Sequence, residues 1–137
     1  MTRRTILVID DDADDRTFFK EAMKEVSPEI ETYTCESGIQ AIALLSDETL
    51  LPPDYIFLDL NMPLMNGKEC LLELGKILHR QLTKIIVLST SALKEDMEDS
   101  IRLGAKLFLT KPNSFEGLCK ILKDVIEEGW QKQFLKR

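Results

Sequence analysis

Residues 8–15 read VIDDDADD, placing five aspartates between positions 10 and 15 directly behind the apolar run TILVI. Two carboxylates about 4 Å apart repel by roughly 4 kcal/mol at an effective dielectric near 20, so such crowding needs a reason. A solvated acidic loop that also caps the next helix is one reason; a cation site built from oxygen ligands is another. Three more polar landmarks each end an apolar run: Asp59 in YIFLDLNMP, Ser89 and Thr90 in IIVLST, and Lys111 in LFLTKP. Singly these are ordinary. An Asp after a strand forms turns, a hydroxyl there caps the next helix, and a lone Lys is normally solvated. One chemistry uses all of them together, which is phosphoryl transfer to a carboxylate. An Asp nucleophile takes the phosphoryl group, a cation held by oxygens neutralises the developing charge, and an ammonium and a hydroxyl bind the remaining oxygens.

That chemistry requires the four strand ends to converge, so the elements must supply a common edge. Apolar runs at Thr5–Ile9, Ile30–Cys35, Tyr55–Leu58, Ile85–Leu88 and Leu107–Leu109 alternate with helical patterns. Three are continuous Ile/Leu/Val/Phe stretches, as in parallel strands buried on both faces, whereas IETYTC is more polar and suits a sheet edge. Between them, helical stripes are formed by Phe18, Phe19, Ala22, Met23 and Val26, by Ile39, Ile42 and Leu45, and by Leu71, Leu74 and Leu78. Leu93, Met97 and Ile101 form a fourth, and Phe115, Leu118, Leu122, Val125 and Ile126 a fifth; all read as core-facing. Asn113, with Glu116 three residues on, resembles a capping box for the final helix. Five βα units specify an α/β fold, a doubly wound parallel sheet with right-handed crossovers. With strand order 2-1-3-4-5, the switch point lies between strands one and three and brings Asp59 beside Asp10 and Asp11.

The 137 residues, 44% hydrophobic and 31% charged, suit one domain with a real core. No apolar stretch approaches the ~20 residues that span a membrane, and MTRRT leaves no room for a signal peptide before the first strand. Cysteines 35, 70 and 119 are odd in number and lack metal-ligand spacing, which points to a reducing, cytoplasmic setting. The net charge of −6 argues against nonspecific contact with nucleic acid or an anionic membrane.

The segments ILVIDDD, YIFLDLNMPLMNG, IIVLSTS and GAKLFLTKP, in this order and at these separations, resemble the receiver domain of two-component response regulators, the CheY-like family. The resemblance covers about residues 4–128 and implies a five-stranded flavodoxin-like (βα)5 fold. It makes Asp59 the phosphoacceptor, Asp11 the direct ligand of Mg²⁺ (or another divalent cation such as Mn²⁺), and Asp10 its support, with Asn61 adding a backbone carbonyl. By the same likeness Ser89 is the switch hydroxyl, Lys111 the phosphoryl-binding lysine and Phe108 the aromatic that changes rotamer on activation. It also implies a cis Lys111–Pro112 bond and has Gly67 open the third helix. Thr90 stands where the family usually has Ala and is the alternative source of the switch hydroxyl, and Phe108 lacks the hydroxyl of the family's common Tyr. The remaining aspartates, 12, 14 and 15, are expected in the solvated loop and first helical turn.

The expectation is a stand-alone receiver: one domain over residues 1–137, with a helical extension at 129–137 and no output domain. A histidine kinase or phosphotransfer protein would donate the phosphoryl group, and a downstream protein target would receive the signal. Beyond its own aspartyl phosphorylation and dephosphorylation no enzymatic activity is expected. Two alternatives compete with it. A haloacid-dehalogenase-type phosphatase would read Asp10-Asp11-Asp12 as its D-x-D opening, yet leaves DLNMPLMNG unexplained and lacks the late acidic pair. A non-phosphorylated receiver scaffold would have little reason to keep Asp59, the acidic pair, Ser89 and Lys111. Trp130, Phe134 and Leu135 lie beyond the last apolar stripe and suggest self-association. The resemblance suggests homodimers through the fourth and fifth helices and the fifth strand.

Overall fold

The computed structural model describes residues 4–78 and 81–128. The C-terminal extension with Trp130, Phe134 and Leu135 lies outside the described residues. The elements run β1 (Thr5–Ile9), α1 (Ala13–Val26), β2 (Glu31–Cys35), α2 (Gly38–Leu45), β3 (Tyr55–Leu58), α3 (Gly67–Leu78), β4 (Lys84–Ser89), α4 (Lys94–Arg102), β5 (Leu107–Thr110) and α5 (Phe115–Ile126). All four strand pairings are parallel and the order is β2-β1-β3-β4-β5.

The period-2 geometry of a strand divides the core in two. Leu7, Ile9, Ile56, Leu58, Ile85 and Val87 point to one face, where they pack with Ala41 of α2 and Cys70, Leu71 and Leu74 of α3. Ile6, Val8, Tyr55, Phe57, Ile86 and Leu88 point to the other, against Phe19, Ala22 and Met23 of α1 and Leu118, Leu122 and Val125 of α5. Burial on both faces explains why β1, β3 and β4 are continuously apolar, and the edge strand β2 keeps Tyr33 exposed.

Four expectations need correction. The stripe Leu93, Met97 and Ile101 faces outward, with exposures of 65%, 42% and 46%. Leu93 is the N-cap of α4 rather than part of it, and the residue that α4 buries fully is Ser100. Ile39 likewise points out of α2, whose buried residues are Gly38 and Ala41, and Phe18 is exposed beside Phe115 at the edge of α1, whose buried residues are Phe19, Ala22 and Met23. The cap of α5 is Ser114, whose hydroxyl accepts from the Gly117 amide, and not Asn113.

Gly67 does open α3, and for a steric reason. A Cβ at this position would lie 2.4 Å from Leu60 Cα and 2.9 Å from the Asp59 carbonyl oxygen, while the Gly67 amide donates to Leu60 O at 2.8 Å. The helix start therefore sits directly on the backbone that carries Asp59. At Gly75, in the middle of the same helix, an added Cβ would meet nothing within 4 Å. Gly67→Ala should cost about 2–3 kcal/mol through overpacking, whereas Gly75→Ala should gain about 0.5–1 kcal/mol from helix propensity. Urea denaturation of the two variants checks both signs against wild type.

Candidate functional site

The carboxyl ends of β1, β3, β4 and β5 meet at one crevice. Register pairs Ile9 with Leu58, so the next residues, Asp10 and Asp59, emerge side by side. Both are buried, and the Asp59 amide donates to Ile9 O at 3.0 Å. Asp11 is exposed at the rim. One carboxylate oxygen from each of Asp10, Asp11 and Asp59 lies within 4.8 Å of the others. Such a hard-oxygen set fits a divalent cation that keeps several of its waters. Asp10 and Asp11 are thus the pair that joins Asp59. Asp12 instead caps α1, accepting from the amides of Asp14 and Asp15, and its own amide donates to Asp10 Oδ1 at 2.9 Å.

Lys111, at the end of β5, enters from the opposite side. Its Nζ stands 2.9 Å from Asp10 Oδ2, 2.9 Å from Asp15 Oδ2 and 3.9 Å from Asp59 Oδ1. Burial alone would pull the ammonium's pKa down, but hydrogen bonds to Asp15 and Asp10 and the charge of Asp59 outweigh it, so it is held above its ordinary range. The Asp59 carboxyl is pushed up, chiefly by burial, with Lys111 opposing and the charge of Asp10 adding to the rise. The Asn61 amide donates to Asp59 Oδ1 at 3.3 Å, which ties the loop after β3 back to this carboxylate.

Ser89, the last residue of β4, is fully buried, and Thr90 after it is exposed. The Ser89 hydroxyl accepts from the Ser91 amide at 3.1 Å. Ser91 in turn donates its hydroxyl to Asp96, and Asp96 pairs with Lys68 of α3 at 2.8 Å. Phe108 is half-buried and packs against the α2–α3 side of the core. The peptide bonds of the described residues are all trans, so the expected cis Lys111–Pro112 bond is corrected. Trans is the favoured X-Pro isomer by about 0.5–1 kcal/mol, and here the Lys111 amide already donates to Ser89 O at 2.8 Å along the sheet.

Two members of this site escape the sequence reading. Asp15, expected in the solvated first turn, shares Lys111 with Asp10. Arg16, which no motif singles out, donates from Nη1 to the Asp10 backbone carbonyl at 2.8 Å. The spacing from Asp12 to Asp15 and Arg16 fits one helical turn behind a cap, which is a usable signal that these side chains return toward the strand end.

A family model described as the response regulator receiver domain matches residues 6–123. The chain belongs to the response-regulator receiver family. It is 29% identical over 131 residues to response regulator Rcp1 of Synechocystis sp., covering 93% of this chain and 88% of that protein. It is 30% identical over 118 residues to chemotaxis protein CheY of Listeria monocytogenes, covering 86% of this chain and 94% of that one. Against the nitrate/nitrite response regulator NarL of Escherichia coli it is 38% identical over 120 residues, 86% of this chain, and spans only 52% of NarL. The fold superimposes on the phosphorylated cyanobacterial phytochrome response regulator RcpA with a TM-score of 0.81 at 30% identity, covering 96% of each chain. For the Mn²⁺-bound form of Rcp1 the TM-score is 0.77 at 28% identity, covering 89% and 91%. Receiver domains bind a divalent metal at their acidic pocket and interact with histidine kinases and downstream targets; the Asp10, Asp11 and Asp59 cluster agrees with the first of these. No helix among the described residues is long and apolar enough to cross a membrane.

The raised pKa of Asp59 has a stability consequence whose sign is fixed. The folded state holds this proton more tightly than the unfolded chain, so ionisation costs stability once pH rises above the unfolded value near 3.9. Asp59→Asn removes that cost. In chelator, the variant should melt higher than wild type at pH 7, and the gain should shrink as pH falls toward 4. Thermal melts at the two pH values measure it.

Proposed function

We propose that Asp59 accepts a phosphoryl group from a histidine kinase or phosphotransfer protein and that the chain signals through phosphorylation-dependent protein contacts. The observation that carries this reading is the meeting of three carboxylates within 4.8 Å, with a lysine ammonium beside them, at one strand edge. Asp11, Asp10 and Asp59, with the Asn61 backbone carbonyl, would hold Mg²⁺ or Mn²⁺. A bound divalent cation neutralises charge on the transferring oxygens. Lys111 takes a second phosphoryl oxygen and the Ser89 hydroxyl a third, while Thr90 at the rim controls how water reaches the acyl phosphate. Phe108 repacks when Ser89 moves.

The chain catalyses its own aspartyl phosphorylation and dephosphorylation and no other reaction, and acts in the cytoplasm. Treated with acetyl phosphate and Mg²⁺, wild type should gain one phosphoryl group by intact mass, and Asp59→Asn should gain none. Labelling of Asp59→Asn with loss in Asp10→Asn would support a phosphatase instead. Ser89→Ala should still be phosphorylated but lose the beryllofluoride-induced amide shifts of β4 and α4.

The outward face of α4 supports the self-association reading. Met97 and Ile101 of α4 and its N-cap Leu93 lie exposed, next to the half-buried β5. Such a stripe suits a partner surface, and a second copy of this chain, joined through α4, β5 and α5, is the proposed occupant. Phosphorylation strengthens the dimer by favouring one packing of Phe108. Sedimentation of wild type and Ile101→Glu, each with and without beryllofluoride, should give a dimer only for activated wild type.

A further inference from the structure

Lys111 has more partners than a receiver's chemistry asks of it. An ammonium carries three N–H donors; here Asp10 and Asp15 each hold one at 2.9 Å, and Asp59 is left at 3.9 Å. Asp15 is not an incidental neighbour. It stands in the first turn of α1, where the Asp12 side chain accepts from its amide, so its backbone position is set by the cap. Its side chain is about half exposed, at 46%, whereas Lys111 is 17% exposed and Asp10 7%. The bond to Asp15 therefore draws the ammonium toward α1 and the mouth of the crevice, away from Asp59.

The ordinary explanation for Asp15 is the helix start, where a carboxylate is favoured by the N-terminal dipole. Asp14 shares that position in the same turn and is not a partner of Lys111. The lysine contact is thus a property of Asp15 that helix capping does not explain.

We infer that Asp15 is a positioning residue for the phosphoryl-binding lysine, competing with Asp59 for the Lys111 ammonium and holding it back until an anionic phosphoryl group is in place. This rests on the reading of Asp59 as phosphoacceptor and of Lys111 as the group that binds the phosphoryl oxygens. An anion on Asp59 has to displace Asp15 from the ammonium, so the acidic mouth lowers the affinity of the site for phosphoryl groups below what Asp59, Lys111 and the cation would give by themselves.

The test is isothermal titration with beryllofluoride at saturating Mg²⁺ and 0.15 M salt, on wild type, Asp15→Asn, Asp15→Glu, Asp14→Asn and Asp59→Asn. Asp15→Asn should bind roughly two- to fivefold more tightly, the range expected from loosening one half-exposed ion pair. Asp15→Glu, which keeps a carboxylate on the same turn, should stay close to wild type. Asp14→Asn removes the same charge from the same turn without touching Lys111 and should leave the affinity unchanged. Equal tightening in Asp14→Asn and Asp15→Asn would mean a general field effect and overturn the inference, as would unchanged or weaker binding in Asp15→Asn. Binding by wild type but not by Asp59→Asn upholds the phosphoacceptor reading whatever Asp15 does. Failure of wild type to bind overturns that reading and this inference with it.

Discussion

Everything at the strand edge depends on like charges held close together. Asp10 and Asp59 are buried beside each other, Asp11 completes a cluster within 4.8 Å, and Asp15 shares the Lys111 ammonium with Asp10. An isolated buried carboxylate loses much favourable solvation, and a second beside it adds repulsion. The raised pKa of Asp59 expresses that residual strain. A site with surplus negative charge and fixed oxygens is prepared for cations, and the Lys111 ammonium offsets part of that charge from within the fold.

Holding those charges requires a sheet that cannot slip. A one-residue shift between β1 and β3 would exchange the two faces of a strand. Here it would bury Ile6 and Val8 where Leu7 and Ile9 belong, while carrying Asp10 away from Asp59. Packing on both faces therefore fixes the site as firmly as it fixes the core. Gly67 extends the same logic to the loop: α3 starts against the Asp59–Leu60 backbone, and only a residue without Cβ allows that approach. The non-glycine Leu64, at φ 68°, shows how tightly that loop must turn between Asp59 and the helix.

The sheet is legible in the sequence because strands buried on both faces leave continuous apolar runs, and β1 and β3 fall on the expected bounds. The convergence of Asp10, Asp11, Asp59, Ser89 and Lys111 on one edge is legible too, since strand order and a common edge are enough to predict it. What periodicity does not see is polar burial. The inner side of α4 is polar, with Ser100 bonded back to the Asp96 carbonyl and Asp96 and Asp99 on Lys68, so a reading by apolar spacing sends the wrong residues to the core. Asn113 and Ser114 are both good caps, and a one-residue choice between them is decided by how α5 docks, which local sequence does not record. Local spacing marks the turn that carries Asp15 but not the lysine it meets, which is 96 residues away. The cis Lys111–Pro112 bond comes from family likeness alone, and no local feature of the chain demands it.

The misread stripe of Leu93, Met97 and Ile101 reflects one physical property of α4. The other four helices each bury two or more residues against the sheet or a neighbouring helix, whereas α4 buries Ser100 alone and has no side-chain N-cap bond. Its attachment rests instead on charge: Lys68 reaches Asp96 and Asp99, and hydrogen bonds to that ammonium hold both carboxyls below their usual range. Elements with few buried apolar contacts sit at the low-stability end of a fold and move at least cost. Ser91 joins this charged attachment to Ser89, its amide donating to the Ser89 hydroxyl and its own hydroxyl to Asp96, and the outer side of the same helix carries the exposed apolar stripe. A helix that buries one serine, is held by charge on Lys68 and carries Met97 and Ile101 on its outer side is the helix of this fold held least firmly by apolar packing.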